Sequence, residues 1–200
     1  MNNQSGIAIG PILFIVAILA ILATAIAAGS STFATSSGSE GNRTNAAAMI
    51  SIGTTLKMGM DRMIALGTPL ANIDINALNT SATNALFSPT GGGLVSPSTS
   101  LANTPASDTW IFTWGLVTNI GTGSLERIAA LKVTQGICDQ INIQAGNQAS
   151  PAATALGNIS NTVNFTAWPT TNVVGKMVGC VNNNTAGAVG TYFYQAIGIQ

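Results

Sequence analysis

The sequence contains no histidine, only two cysteines and very few charged residues, and each shortage excludes a class of function. Without histidine, the chain lacks the side chain that most often serves as general base and metal ligand near neutral pH. Six Lys and Arg residues balance six Asp and Glu residues, without a cluster of either sign. Because no basic patch could neutralise several phosphates, we predict no nucleic-acid partner.

Recognisable catalytic and cofactor motifs are also missing. No two carboxylates form a recognisable catalytic pair, and Asp61 and Asp108 are better interpreted as a helix-face charge and a turn residue. The glycines at 91–93 lack the strand, lysine and helix that a phosphate-binding loop requires. The two cysteines form no CxxC motif, which argues against a thioredoxin-like site or a zinc cage. We therefore predict a non-enzymatic protein that uses no cofactor and no metal.

One apolar run dominates what the sequence does contain. Ile7–Ala28 is a stretch of 22 residues without a charge, preceded by a polar leader at 1–6 that has no Lys or Arg. As a helix it rises about 33 Å, which matches the hydrocarbon thickness of a bilayer. A secretory signal peptide would have a basic start and a shorter apolar region, so the residues favour a transmembrane anchor.

The segment from Pro11 to Ile26, PILFIVAILAILATAI, resembles the N-terminal helix of type IV pilins and pseudopilins, which follows a short polar leader ending in glycine. Aligning the two puts the leader glycine at Gly6 and the first mature residue at Ile7. The resemblance implies cleavage there by a prepilin peptidase, then membrane anchoring, then packing in a filament core. Pro11 stands where the family has glutamate, and proline is compatible with the first turn of a helix.

Small residues recur along the apolar run at helical spacing. They let helix backbones approach closely, which suits packing either in a filament core or in a membrane dimer; abundant alanine is the simpler interpretation. The candidate packing positions are Gly10, Ala17, Ala20, Thr24 and Ala28.

The chain after the apolar run divides into two further parts. Residues 29–41 are rich in Gly, Ser and Thr and predict a flexible segment. Residues 42–200 are long enough for one globular domain with its own core. A helix is predicted from Asn42 to Leu66, with an apolar stripe interpreted as core and a stop at Gly67–Pro69. The stripe consists of Met49, Ile52, Leu56, Met60 and Met63.

Beyond this helix the domain alternates loops with short elements. Residues 70–108 read mostly as loop, and Thr109–Val117 predicts a strand with Trp110, Phe112, Trp114 and Leu116 on the face that covers the helix. Ser124–Asn142 predicts a second helix, with Ser124 as N-cap. Residues 162–167 alternate like a strand, 170–181 fit a helix or a strand, and Thr191–Ile197 predicts a closing strand.

Cys138 and Cys180 are the only cysteines. A disulfide between them would close a loop of about 43 residues and require an extracytoplasmic domain; the alternative is two buried free thiols. The pilin resemblance favours the disulfide, because type IVb pilins carry one that ties a helix to a C-terminal region. The expected fold is therefore α+β: a long hydrophobic N-terminal helix, then a domain with a small antiparallel sheet and a disulfide-closed C-terminal region.

The predicted function is a structural subunit of a type IV pilus-like surface filament or secretion pseudopilus. Its partners would be the membrane, the prepilin peptidase, copies of itself and other pilin-like subunits. The precursor would lie in a bacterial inner membrane, and the assembled filament would lie at the cell surface. Two alternatives stay open: a monomeric single-pass envelope or binding protein, which Pro11 favours, and a minor pilin that primes or caps a filament.

Overall fold

The computed structural model describes residues 9–105, 108–112, 126–147, 153–154, 175–183 and 189–199, with the side chains of all but 9–12, 25–37, 153–154 and 183. By its internal contacts the chain divides into two units, Met1–Gly41 and Asn42–Gln200. Helix α1 (Ile9–Ala65) contributes residues to both. No helix within the described ranges carries an apolar run long enough to cross a membrane.

The backbone of residues 29–41 is helical, rather than the flexible segment that we predicted. Serine, threonine and glycine each cost a helix about 1 kcal/mol or less relative to alanine. Extending an existing helix adds one hydrogen bond for each residue fixed, so a helix can continue through such a segment. The prediction from composition overestimated the free-energy cost of Gly, Ser and Thr in a helix.

The part of α1 in the second unit supplies the spine of the domain. Met49, Leu56, Met60 and Met63 are buried and Ile52 packs against them, which confirms the core interpretation of the stripe. The helix ends where predicted: Gly67 has φ +91° and donates its N–H to Ile64 O, while Thr68 donates to Met63 O. This pair of bonds is the Schellman motif, which satisfies carbonyls at the helix end.

The described part of the domain contains one five-stranded sheet. Its strands are β1 (Ile111–Phe112), β2 (Glu126–Val133), β3 (Ala153–Thr154), β4 (Val178–Asn183) and β5 (Gly190–Ile199), in the spatial order β1-β2-β5-β4-β3. Neighbouring strands pair antiparallel between β1 and β2, β2 and β5, and β5 and β4, whereas β3 pairs in parallel with β4. The described domain is therefore α+β with a small antiparallel sheet, as predicted.

Residues on β5 alternate between two buried faces of this sheet. Phe193 and Ile197 belong to the core shared with α1, whereas Tyr192, Tyr194 and Ala196 belong to a second cluster. Strand β5 approaches α1 closely at Gly53, where the missing side chain leaves room for Gln195. A Cβ added at Gly53 would lie only 3.0 Å from the Gln195 side chain. The sheet thus packs directly on the helical spine, and the predicted closing strand 191–197 is confirmed within β5.

The predicted helix at 124–142 is wrong over its first half. Residues Glu126–Val133 form β2, and helix α2 covers only Gln135–Gln144, with Thr134 at the N-cap position. Ile128 and Leu131, three residues apart, would share one face of a helix, but in the strand they lie in two different clusters. The run Ala-Ala-Leu-Lys favours a helix locally, but pairing with β5 along the whole strand and burial on both faces override that propensity.

Other elements are confirmed only in part. Trp110 and Phe112 are buried in the core with α1, whereas Trp114, Leu116 and Ser124 lie outside the described residues. Only residues 178–181 of the predicted element 170–181 lie in strand β4, and 162–167 lies outside the described residues. Residues 70–105 are mostly loop, with two short 3₁₀ helices at Leu70–Asn72 and Ser100–Ala102.

Candidate functional site

The described apolar segment of α1 exposes hydrophobic side chains on every side. Residues 13–16 are between 56% and 67% exposed, and because successive helical residues are about 100° apart, these four alone encircle the axis. Ile18, Leu19, Ile21 and Leu22 continue the surface, each at least 41% exposed. In general, helices that are hydrophobic all round are found buried in the core of a large protein or in a membrane.

The candidate packing positions lie along this segment. Ala17, Ala20 and Thr24 are exposed in the first unit, and Thr24 donates its hydroxyl to Ile21 O at 2.8 Å. Gly10 and Ala28 have helical backbone, but their side-chain surroundings lie outside the described set. The processing residues Gly6 and Ile7 lie outside the described residues. Use of the stripe in helix packing stays a prediction.

The two cysteines are bonded, which confirms the disulfide between Cys138 and Cys180. Their Cα atoms are 5.4 Å apart, and the bridge ties α2 to strand β4 across a sequence separation of 42. Both residues are buried, so the bridge belongs to the core of the domain rather than to its surface. Disulfides persist mainly in oxidising compartments.

Two asparagines that our sequence reasoning missed reinforce this junction. Asn142, on α2, exchanges two hydrogen bonds with the backbone of Cys180, and Asn147 donates its side-chain amide to Val178 O at 2.9 Å. Asn142 is only 3% exposed. For Asn142, the signal available in the sequence was its position four residues after Cys138, since that spacing places both residues on one helix face.

A groove of about 680 Å³ opens elsewhere in the domain, a volume typical of small-molecule sites. Trp110 and Phe112 are its buried aromatic residues, while Asn76, Thr99 and Thr109 offer polar atoms. The Trp110 indole donates to Ser98 O at 3.2 Å and stacks on Phe112 with ring centroids 6.3 Å apart. The described lining offers apolar contact and uncharged hydrogen-bonding groups, and it contains no ionisable side chain.

Several of the described ionisable groups make structural contacts. The guanidinium of Arg127, on β2, donates to Ala71 O at 3.0 Å, and burial lowers the pKa of Arg127 despite the opposing effect of Asp74. Lys57 and Asp61 form an exposed ion pair at 2.6 Å on α1, as their i, i+4 spacing predicts. Over the described ranges, no three His, Cys, Asp or Glu side chains lie close enough together to hold a metal ion.

Comparison with known proteins adds no relative: no family model, no curated protein and no solved structure matches this chain.

Proposed function

We propose that this protein is a structural subunit of a type IV pilus-like surface filament or secretion pseudopilus, assembled through its hydrophobic N-terminal helix. One observation carries the proposal: the apolar side chains of 13–22 are exposed around the whole circumference of α1. Burying each of these large side chains contributes about 1.5–3 kcal/mol, so the segment favours an environment that covers every side.

A filament core supplies such an environment. The precursor would be held in the inner membrane by the apolar run 7–28, and a prepilin peptidase would cleave between Gly6 and Ile7. Neighbouring helices of the same chain, or of other pilin-like subunits, would then replace lipid around each apolar segment. The small residues Ala17, Ala20 and Thr24 would allow close approach of these helices.

The second unit supports this proposal through its covalent chemistry and its spine. The disulfide between Cys138 and Cys180 is suited to a domain outside the cytoplasm. Met49, Leu56 and Met60 of α1 are buried against the sheet domain, so the helix that carries the apolar segment is also built into that domain. Filament packing of the helix would display the domain at the cell surface.

Pro11 favours a second candidate, a monomeric envelope or binding protein anchored by a single transmembrane helix. In pilins the glutamate at this position pairs with the terminal amine of a neighbouring subunit, and proline offers no charge for that pairing. A minor pilin that primes or caps a filament combines the two candidates, since it needs fewer contacts with neighbours.

The deciding experiment is the intact mass and N-terminal sequence of the full-length protein, from sheared extracellular material and from membranes separately. The filament proposal expects a chain that begins at Ile7, methylated at its amine and present in the sheared fraction. A chain that keeps the leader and stays only with membranes would overturn that proposal and support the permanent anchor. A start near Ile26 would mean a cleaved signal peptide and contradict both.

A further inference from the structure

One residue of β4, Cys180, is held at three of its atoms by one face of α2. Its Sγ is bonded to Cys138. Its backbone N–H donates to Asn142 Oδ1 at 2.8 Å, and its carbonyl accepts from Asn142 Nδ2 at 3.0 Å. Cys138 and Asn142 lie four residues apart, one above the other on the helix. The covalent and the non-covalent attachment therefore fix the same alignment of α2 along the strand.

The side chain of Asn142 occupies a place on β4 that a neighbouring strand would otherwise take. Next to it, Asn147 Nδ2 donates to Val178 O, and β3 pairs with Asn182 and Asn183. Cys180 and Asn142 are 4% and 3% exposed, so water has little access to these groups. A buried backbone group that loses its partner costs free energy, which makes withdrawal of Asn142 unfavourable whether or not the disulfide is closed.

We propose that Asn142 is a positioning residue that keeps α2 aligned on β4 when the disulfide is open, so that the two sulfur atoms stay opposite each other. Closing the bond then requires little further ordering of the chain. Since each chain has only two cysteines, the competing reactions join different chains or capture a small thiol. Asn142 thus directs the thiols of Cys138 and Cys180 toward the bond within one domain.

The chemistry of the test is exchange with glutathione. Two protein thiols lose two protons and two electrons to one glutathione disulfide, which becomes two glutathione thiols, while a sulfur–sulfur bond forms in the protein. The equilibrium constant of this exchange is the ratio of closed to open protein multiplied by the square of the glutathione concentration and divided by the glutathione disulfide concentration. It has units of concentration and equals the effective concentration of one cysteine at the other. This quantity measures how well the open form already aligns the two thiols.

The experiment compares full-length wild type, Asn142→Ala and Gln135→Ala in glutathione buffers. Gln135 is the matched control, because it lies on the same helix and its amide bonds to Asp139 rather than to β4. We expect Asn142→Ala to lower the effective concentration about tenfold or more and to increase mixed disulfides and cross-linked dimers, and Gln135→Ala to match wild type. If Asn142 stabilised the open and the closed form equally, Asn142→Ala would weaken the fold without changing the effective concentration. That result would overturn the proposal.

A second measurement needs no variant and decides the question if Asn142→Ala does not fold. Wild type is reduced with dithiothreitol, and hydrogen exchange of the Cys180 amide is followed by nuclear magnetic resonance. The proposal expects that amide to stay protected in the reduced protein, because it still donates to Asn142. Loss of protection on reduction, while core amides such as that of Phe193 stay protected, would overturn it.

Discussion

The two tyrosines of the chain, Tyr192 and Tyr194, are buried side chains on the same face of β5. Burial raises the pKa of both phenols above 10.0, and the carboxylates of Asp108 and Glu126 raise the pKa of Tyr192 and Tyr194 respectively. Each folded-state pKa therefore lies above its unfolded value. The corresponding stability is fully present below pH 10 and is lost as the pH rises from there through the folded-state values.

We therefore expect tyrosine ionisation and unfolding to occur together in alkaline solution. Tyrosinate absorbance should stay low at pH 10, where an unfolded chain is half ionised, and should rise with loss of the fold at higher pH. The measurement is a titration of near-ultraviolet absorbance alongside circular dichroism, with guanidinium-unfolded protein as reference and Tyr192→Phe to isolate Tyr194. Ionisation at the reference pH in a folded protein would contradict the burial argument.

Gly67 is the residue whose backbone conformation ends α1. At φ +91° a Cβ is disfavoured, so we expect Gly67→Ala to lower the free energy of unfolding by about 1–2 kcal/mol. Gly67→Asn should cost less, because asparagine tolerates the left-handed region better. Urea denaturation of both variants checks this order. Equal stability of Gly67→Ala and wild type would mean that the Schellman motif does not limit the helix.

At the scale of elements, the disulfide joins α2 to β4 and closes a long loop. Replacing both Cys138 and Cys180 by alanine should lower the free energy of unfolding by roughly 4 kcal/mol, because the unfolded chain gains the entropy of an open loop of about 43 residues. Urea denaturation measures the loss, and reduced wild type is the control, since its unfolded chain is equally unrestricted. A change below about 1 kcal/mol would contradict the entropic account.

The elements that could be predicted from the sequence are those whose local and tertiary preferences agree. The stripe of α1, its stop at Gly67 and the aromatic strand β5 combine a clear period with matching punctuation. Strand β2 could not be predicted, because Ala129–Lys132 favours a helix and only the partner strand β5, more than fifty residues later, decides otherwise. The spacing of Cys138 and Asn142 indicates only that both share one face of α2, whereas the contact of Asn142 with Cys180 depends on how α2 meets β4, which no local pattern encodes.

At the scale of the whole molecule, the apolar segment of α1 can be tested separately from the stability of the domain. Leu19 and Met58 are both exposed hydrophobic residues of α1, each at 59%, but only Leu19 belongs to the apolar segment. We expect Leu19→Lys to remove most of the protein from the sheared filament fraction, because a charge is costly in an apolar filament core. Met58→Lys should leave that fraction unchanged.

The measurement is quantitative immunoblotting of sheared and membrane fractions, with the Cys138–Cys180 bond assayed as evidence that both variants fold. Equal loss from the filament fraction in both variants would show that any added charge on α1 interferes. Normal filament yield from Leu19→Lys would show that the apolar segment is not needed for filament assembly.

The order of strands in the sheet sets when the domain can fold during synthesis. Strands β2 and β4 do not pair with each other, because both pair with β5, which is encoded after all the other described elements. Until residues 190–199 leave the ribosome, β2 and β4 each lack their main neighbour, and the buried face of α1 has no complete sheet to cover it. The sheet therefore cannot be completed before β5 has been synthesised, and a nonsense mutation just upstream of residue 190 would remove the strand on which both β2 and β4 depend.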